Sequence, residues 1–273
     1  MSVGFWTEVV DRADAALASG VMHSFDCALE FVQDAGVEFV MRVATKFPKG
    51  ETAAGKRAGT PRGPADPFAA PDPALIVRDR LTPTHRALLN KYSVLREHLL
   101  VVTREFEEQR QPLNERDFAA LAICMEDAEV LAFYNGGSEA GASQAHKHLQ
   151  VVTLPLSPRH SVPMDVVLEK PQPALPFRHA FARLDAGRTS RPSAMLETYM
   201  ELHRAARLDF PQPYNLLVTH EWMLVVPRSR DRFQDISINS LAFAGSYFVR
   251  DAKHANVIAA SKPMSVLASV AIP

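Results

Sequence analysis

Between Gly141 and Leu154 the chain passes from small, flexible residues into an alternating run: His146, Lys147, His148, Leu149, Gln150, Val151, Val152, Thr153, Leu154. Successive side chains of a strand point to opposite faces, so a period of two predicts a strand here. Such a strand places His146, His148 and Gln150 on one face, expected to look outward together. Just before it, Asn135, Gly136, Gly137, Ser138, Gly141 and Ser143 read as a flexible polar loop. Its backbone N–H groups and hydroxyls can wrap an anion, so loop and strand together have the layout of a phosphate site.

The chain has 273 residues, 47% hydrophobic and 22% charged, enough to bury a sizeable core. A formal net charge of −1 argues against nucleic acid as a partner, because such binding draws on clustered Lys and Arg. The longest apolar runs are too short to cross a bilayer, and the first residues, with Asp11, Arg12 and Asp14, do not read as a signal peptide. No membrane association and a cytoplasmic location are expected. Cys27 and Cys124, far apart in sequence, provide neither a disulfide framework nor a four-ligand zinc site and read as core thiols. No sequence signal sets an oligomeric state.

Phe5, Val9, Ala13 and Leu17 have helical spacing, with Gly20 placed to end that helix. Val37 to Val43 reads as a strand. From about residue 45 to 73 the chain is rich in Pro, Gly and Ala with scattered Lys46, Lys49, Lys56, Arg57 and Arg62, which predicts a long mobile loop able to close over a polyanion. Leu88 to Tyr92 and His98 to Thr103 form a first expected hairpin. Asn114 then caps a helix whose apolar positions run from Phe118 to Ala132, with Asp117 completing the cap. Beyond a Pro-rich connector, Pro155 to Pro176, a second helix is expected from a cap at Ser193 to about Arg207. Tyr214 to Thr219 and Trp222 to Val226 form a second hairpin that faintly echoes the first. Hairpins mixed with helices favour an α+β fold with a largely antiparallel sheet and packed helices, in a single domain whose C-terminal half begins near residue 190.

A neutral imidazole nitrogen can attack phosphorus and form a phosphoramidate, which splits one displacement into two and lets the enzyme choose the acceptor second. His148, central on its face, is the candidate nucleophile, with His146 and Gln150 each about 6–7 Å away along the strand. Ser143 and the loop N–H groups would stabilise charge on the equatorial phosphate oxygens. Two plainer readings compete: the histidines are polar residues on an exposed strand face, or they hold a metal, for which a third ligand is lacking nearby.

The segment Gly141 to Gln150 resembles the histidine triad superfamily, in the branch with Gln in place of the last His. The likeness runs from about Val37 to Arg250 through Asp66-Pro67-Phe68, Thr82-Pro83-Thr84-His85, Leu89-Asn90-Lys91-Tyr92, His98, Tyr134-Asn135, Tyr214-Asn215, Trp222-Met223, Pro227-Arg228-Ser229 and Phe243-Ala244-Gly245. Together these resemble the diadenosine tetraphosphate phosphorylases, or ATP adenylyltransferases. The resemblance implies a histidine-triad-like fold and a nucleotidyltransferase that cleaves diadenosine tetraphosphate with inorganic phosphate to ATP and ADP, reversibly, through an adenylyl-histidine. Diadenosine polyphosphates, ATP, ADP and phosphate are the implied partners. It assigns His148 as nucleophile, His146 as its supporting histidine and Gln150 to the third position. Asn135 and Ser143 match phosphate-contacting residues, Gly141 lies in the phosphate turn, and Asn90 falls where a ribose-binding residue precedes the hairpin.

Gln150 cannot donate a proton as an imidazolium does, though its amide can hydrogen-bond a phosphate oxygen, so transfer is favoured over hydrolysis. Glu139 departs from the pattern, because a carboxylate beside a polyphosphate is unfavourable unless it points to solvent or binds a divalent ion such as Mg2+. No covalent cofactor and no dedicated metal site are expected. Lys56 is a candidate for the distal phosphates, against the reading of a solvated charge run. Trp222, Met223 and Phe243 read as packing residues, and His98 as a residue that orders the first hairpin. The rival functions are a dinucleoside polyphosphate hydrolase, a hexose-1-phosphate uridylyltransferase-like enzyme, and a nucleotide-binding module without turnover.

Overall fold

The computed structural model describes residues 4–45, 66–170 and 174–273. Its main elements are α1 (Phe5–Ala18), β1 (Cys27–Asp34), β2 (Val37–Ala44), β3 (Ile76–Arg78), β4 (His85–Leu89), β5 (His98–Thr103), α2 (Glu115–Cys124), β6 (Val130–Gly136), β7 (His148–Thr153), β8 (Ala180–Arg183), α3 (Pro192–Ala205), β9 (Tyr214–Val218), β10 (Trp222–Pro227), β11 (Ser246–Val249), α4 (Ala252–Ser261) and α5 (Pro263–Val270), besides two-residue strands and one-turn helices. Eight strands form one sheet in the order β8-β10-β9-β6-β7-β5-β4-β3. Every neighbouring pair in it is antiparallel. The hairpins β4–β5 and β9–β10 flank the central pair β6–β7 on opposite sides. Strands β1, β2 and β11 make a second, smaller sheet.

Apolar spacing turns one face of the large sheet toward helices. Phe5, Val9 and Ala13 of α1, Phe118 and Leu121 of α2, and Met195, Tyr199 and Leu202 of α3 pack there against Leu99, Val101, Leu149, Val151 and Leu216. The opposite face packs Leu131, Phe133, Val152, Leu217 and Leu224 against Phe39 and Met41 of β2 and Ile258, Val266 and Leu267 from α4 and α5. A small separate cluster, Phe68, Leu88, Leu100 and Val102, covers the β4–β5 end of that second face. Trp222, Met223 and Phe243 lie in these cores.

The capping box expected at Asn114 and Asp117 is present, but the helix stops at Cys124 instead of continuing toward Ala132. Residues 130–136 form the central strand β6, buried along its whole length. A strand covered on both faces shows no alternation, and Ala128 and Ala132 mimic a helical period. Asn135 and Gly136 therefore end a strand, and the loop begins at Gly137. The later helix starts with Pro192 in its first turn, and Ser193 does not cap it. Lys56 and most of the Pro/Gly-rich stretch fall outside the described residues; the end of that stretch is packed, with Phe68 buried and Asp66 accepting the Phe68 N–H at 2.9 Å.

Candidate active site

Strand β7 begins at His148, and His146 sits just ahead of it in a single antiparallel bridge to Glu108. Alternation sends Lys147 to the helix-covered face, where it is fully buried and donates to Asp117 Oδ2 at 2.7 Å, Glu107 Oε2 at 3.1 Å and the Pro112 carbonyl at 3.1 Å. Asp117 also faces His85 Nε2 at 3.0 Å and accepts the Asn114 N–H at 2.7 Å.

His148 and Gln150 lie on the other face, between the two apolar clusters described above. The outward-facing expectation is corrected: His146, His148 and Gln150 are 3%, 4% and 9% exposed. The Phe68 ring stands 5.2 Å from the His148 ring and 5.8 Å from that of His146, with Phe106 5.3 Å from the latter. A sheet packed on both faces leaves its central strands little open surface. The same burial removes the reading of a polar pair on an exposed face. Among the described residues no group of three or more His, Cys, Asp or Glu converges to hold a metal ion.

His148 is held on three sides. Its N–H donates to Gln109 Oε1 at 2.8 Å, while Gln109 Nε2 donates to the carbonyls of His148 at 3.1 Å and Asn135 at 2.9 Å. One buried carboxamide thus ties the nucleophile's backbone to the strand end that opens the glycine turn. His148 Nδ1 lies 2.9 Å from the His146 carbonyl oxygen. A carbonyl only accepts, so Nδ1 carries the hydrogen and Nε2 keeps its lone pair. Burial pushes the ring down to about 4, against the bond to His146 O and with the help of the His146 ring. The imidazole is neutral at pH 7. Gln109 was not legible in the sequence, because nothing in its neighbourhood marks a residue that acts across strands.

After β6 the chain turns through Ser138–Ala140, entered by Gly137 at φ 105° and left by Gly141 at φ 93°. A Cβ on Gly141 would come 2.9 Å from Asn239 Cβ and 3.0 Å from the Ile238 carbonyl oxygen, so this left-handed position needs glycine. Ser143 is exposed. Glu139 answers to Arg110, whose Nη2 reaches its two oxygens at 2.8 and 2.7 Å, and Ser138 Oγ adds a bond at 2.8 Å. Burial works to raise the Glu139 carboxyl, but its own backbone N–H, Ser138 and Arg110 hold it lower.

Asn135 is buried, and its Oδ1 accepts from Asn215 Nδ2 at 2.9 Å, Ser240 N at 3.1 Å and Ser240 Oγ at 2.7 Å. Its carboxamide oxygen is therefore committed to the protein under the turn. Arg228 completes this knot. The buried guanidinium donates to Asn215 Oδ1 and to the carbonyls of Ala140, Ile238, Arg230 and Val270. No carboxylate of the described residues pairs with it, and burial pushes it down to about 9, still protonated at neutral pH. A buried cation under the turn raises the local potential where an anion would sit.

Asn90 lies just past β4, half-buried. Its Oδ1 accepts the Tyr92 N–H at 3.3 Å and its Nδ2 lies 3.2 Å from His98 Nδ1. His98 in turn meets Gln150 Oε1 through Nε2 at 2.8 Å. The structure thus brings together His146, His148, Gln150 and, through His98, Asn90, and sets Asn135 and Gly141 in the adjoining turn. Ser143, exposed just after the turn, stands apart from them among the described residues.

An antiparallel sheet with packed helices carries a neutral histidine beside a glycine turn and a buried cation, and the family models that it matches make it a nucleotidyltransferase. Residues 2–170 match the family model described as the Ap4A phosphorylase N-terminal domain, and residues 173–273 that of the ATP adenylyltransferase C-terminal domain. The chain belongs to the Ap4A phosphorylase family. It is 32% identical over 227 residues to diadenosine 5',5'''-P1,P4-tetraphosphate phosphorylase 2 of Saccharomyces cerevisiae, covering 68% of this chain and 69% of the relative. Protein APA1 of the same yeast is 28% identical over 232 residues, with 72% of each chain covered. The crystal structure of yeast Ap4A phosphorylase Apa2 in complex with Ap4A superposes with a TM-score of 0.82 at 25% identity, over 100% of this chain and 99% of that one. The AMP complex superposes with a TM-score of 0.83 at 24% identity, with the same coverage.

Proposed function

We propose that this protein cleaves diadenosine tetraphosphate with inorganic phosphate to ATP and ADP, reversibly, through an adenylyl group carried on His148. The observation that carries the reading is the bond from His148 Nδ1 to the His146 carbonyl, which leaves Nε2 as an unprotonated nitrogen at neutral pH. In the first step Nε2 attacks the α-phosphorus, the N–P bond forms as the bridging P–O bond breaks, and ATP leaves. In the second, a phosphate oxygen attacks the same phosphorus, the N–P bond breaks, and ADP leaves with His148 restored. Gln150 hydrogen-bonds the phosphoryl oxygens, and Ser143 lies in the segment just after the turn. The N–H groups of Gly137, Ala140, Gly141 and Ala142 are instead taken up by the carbonyls of Asn135, Gly137 and Ser138, at the start of the turn and within it. Asn215 and Arg228 hold that turn in place from below, both donating to the Ala140 carbonyl, and Asn135 accepts from Asn215 beneath them. Asn90 keeps one amide hydrogen for a ribose hydroxyl. Lys56, outside the described residues, is a candidate for the distal phosphates on charge alone, with a solvated charge run as the equal alternative.

Any divalent cation, Mg2+ for instance, would arrive on the polyphosphate, since the described residues offer no cluster to bind one first. No helix of the described residues is long and apolar enough to cross a membrane. Free Cys27 and Cys124 support a cytoplasmic setting.

Incubation with diadenosine tetraphosphate, with and without phosphate, tests the reading. Phosphate-dependent release of ATP and ADP is expected. Phosphate-independent AMP would instead indicate a hydrolase, and no consumption a binding module. His148→Ala should abolish covalent adenylyl labelling while the fold is retained, and labelling that survives would refute the assignment.

A further inference from the structure

Gln150 has two chemically opposite ends, and only one of them is useful to a phosphate: the NH2 donates to an anionic oxygen, whereas the carbonyl oxygen repels it. Something must choose which end faces the site. The register of the sheet sets a candidate beside it: Leu100 of β5 pairs with Gln150 of β7, which puts His98 one position along the same face. His98 is buried, and its Nε2 lies 2.8 Å from the Gln150 carboxamide.

The choice can be traced back to a group with no freedom at all. The Tyr92 backbone N–H is a donor, so the atom of Asn90 it meets, at 3.3 Å, is the oxygen Oδ1. Asn90 therefore presents Nδ2, a donor, to His98 Nδ1 at 3.2 Å. His98 Nδ1 must accept, and a neutral ring that accepts at Nδ1 carries its hydrogen at Nε2. Burial first of all, then the neighbouring His148, push the His98 ring down to about 4 against the bond to Gln150, so the ring is neutral. An Nε2–H donor demands the oxygen of Gln150. The amide nitrogen is left over.

We infer that Asn90 and His98 are positioning residues that fix the orientation of the Gln150 amide, so that its NH2, and not its oxygen, is offered to the phosphoryl group transferred at His148. The polarity runs from the Tyr92 N–H through Asn90 and His98 to Gln150, across three neighbouring strands or their ends. The inference deepens the proposed transfer reaction and rests on it for its consequence, though not for the tautomer itself. Phe133 packs 5.9 Å from the His98 ring, which restricts the imidazole's freedom to turn over.

Two measurements on the full chain test it. In the first, 15N-histidine-labelled protein without substrate is examined by two-bond 1H–15N correlation, with His98 assigned by the loss of its signals in His98→Phe. The Nε2–H tautomer is expected at neutral pH. An Nδ1–H tautomer or an imidazolium would overturn the relay, whatever the protein's activity. In the second, His98→Phe keeps the ring volume but cannot hold the Gln150 oxygen. Adenylyl-enzyme formation should fall about tenfold in kcat, with KM little changed, since one oriented donor in the transition state is worth that much or more. An unchanged kcat, or a loss carried wholly by KM, would overturn the positioning role. Should His98→Phe fold poorly, His98→Gln, whose amide can donate at similar reach, should restore part of kcat; no difference between the two in folded, labelled fractions would count against the idea. Failure of the wild-type protein to form any adenylyl-histidine would instead refute the reaction while leaving the tautomer result standing.

Discussion

Asp66 Oδ2 lies 2.7 Å from Nδ1 of His146, while Nε2 of the same ring lies 2.8 Å from the Thr103 carbonyl oxygen. Both ring nitrogens thus have an oxygen in hydrogen-bond reach, and the Thr103 hydroxyl adds a second beside Nε2 at 3.0 Å. His146 is locked edge and edge, and its backbone carbonyl is the one that fixes the tautomer of His148. Asp66 acts on the nucleophile through two bonds and one residue.

Asp66→Asn should therefore slow adenylyl-enzyme formation without unfolding the protein. Asp66 is 28% exposed at the side chain, so its charge-assisted bond is discounted to about 1.4 kcal/mol, or about tenfold in rate. Single-turnover labelling from diadenosine tetraphosphate measures it. A rate equal to wild type would show that the carboxylate does not support His146.

Phe68 is the cover over the same pair, and truncating it should expose them. Phe68→Ala should speed modification of His148 by diethyl pyrocarbonate, mapped by mass spectrometry, and cost about 3 kcal/mol of stability as a buried aromatic is lost from a small cluster. Modification at the wild-type rate would mean that other groups shield the ring.

How far the site was legible in the sequence follows from which signals are local. Alternation from His146 to Leu154 announced β7, and its ordering of His148 and Gln150 on one face held because that face carries chemistry while Leu149 and Val151 pack behind it. β6 left no such trace: with both faces buried it is uniformly apolar, and its Ala spacing reads as helix. The cover was also hidden, since composition between Thr45 and Pro73 signals a loop and cannot say that Phe68 returns to the sheet. Above all, the contact between His98 and Gln150 exists only through antiparallel register, which pairs residues 52 apart. Residue types were visible, but their meeting across strands was not.

Behind the nucleophile, Lys147 and Asp117 form a fully buried ion pair at 2.7 Å. Lys147→Met strands the carboxylate and should cost about 3–5 kcal/mol. Pairing it with Asp117→Leu should recover much of that loss. Burial works to raise the Asp117 carboxyl, but His85, Lys147 and the Asn114 N–H overcome it and hold it below its ordinary 3.8. A lowered folded value means that this stabilisation is complete above about pH 4 and is lost as pH falls through the folded value. The stranded carboxylate of Lys147→Met is instead driven upward by its burial, so the mutant regains stability by protonating as pH falls, and urea melts should show the gap to wild type narrowing from pH 7 toward 4. A gap that stays constant over that range would mean that the substitution does not leave the carboxylate unpaired.

His203, on α3, is a buried imidazole without a hydrogen bond: neither ring nitrogen has a partner among the described residues. Three aromatic rings enclose it, Tyr199 at 4.2 Å, Tyr214 at 4.5 Å and Phe210 stacked at 4.6 Å. Burial pushes the ring down from its ordinary 6.5 to about 4. Between those values the unfolded chain binds a proton that the folded protein refuses, so stability drains away as pH falls from 6.5 toward 4. His203→Phe keeps the ring packing and removes both the unpaired nitrogens and the titration. It should gain about 1 kcal/mol at pH 7 from relieving the unsatisfied polar group. At pH 5 the gain should be larger by about 2 kcal/mol, the cost of holding such a ring neutral 1.5 pH units below 6.5. Denaturant melts of the two proteins at both pH values measure the difference directly. A gain independent of pH would mean that the folded protein admits the proton after all, through a water or a rearranged aromatic neighbour that pairs with His203.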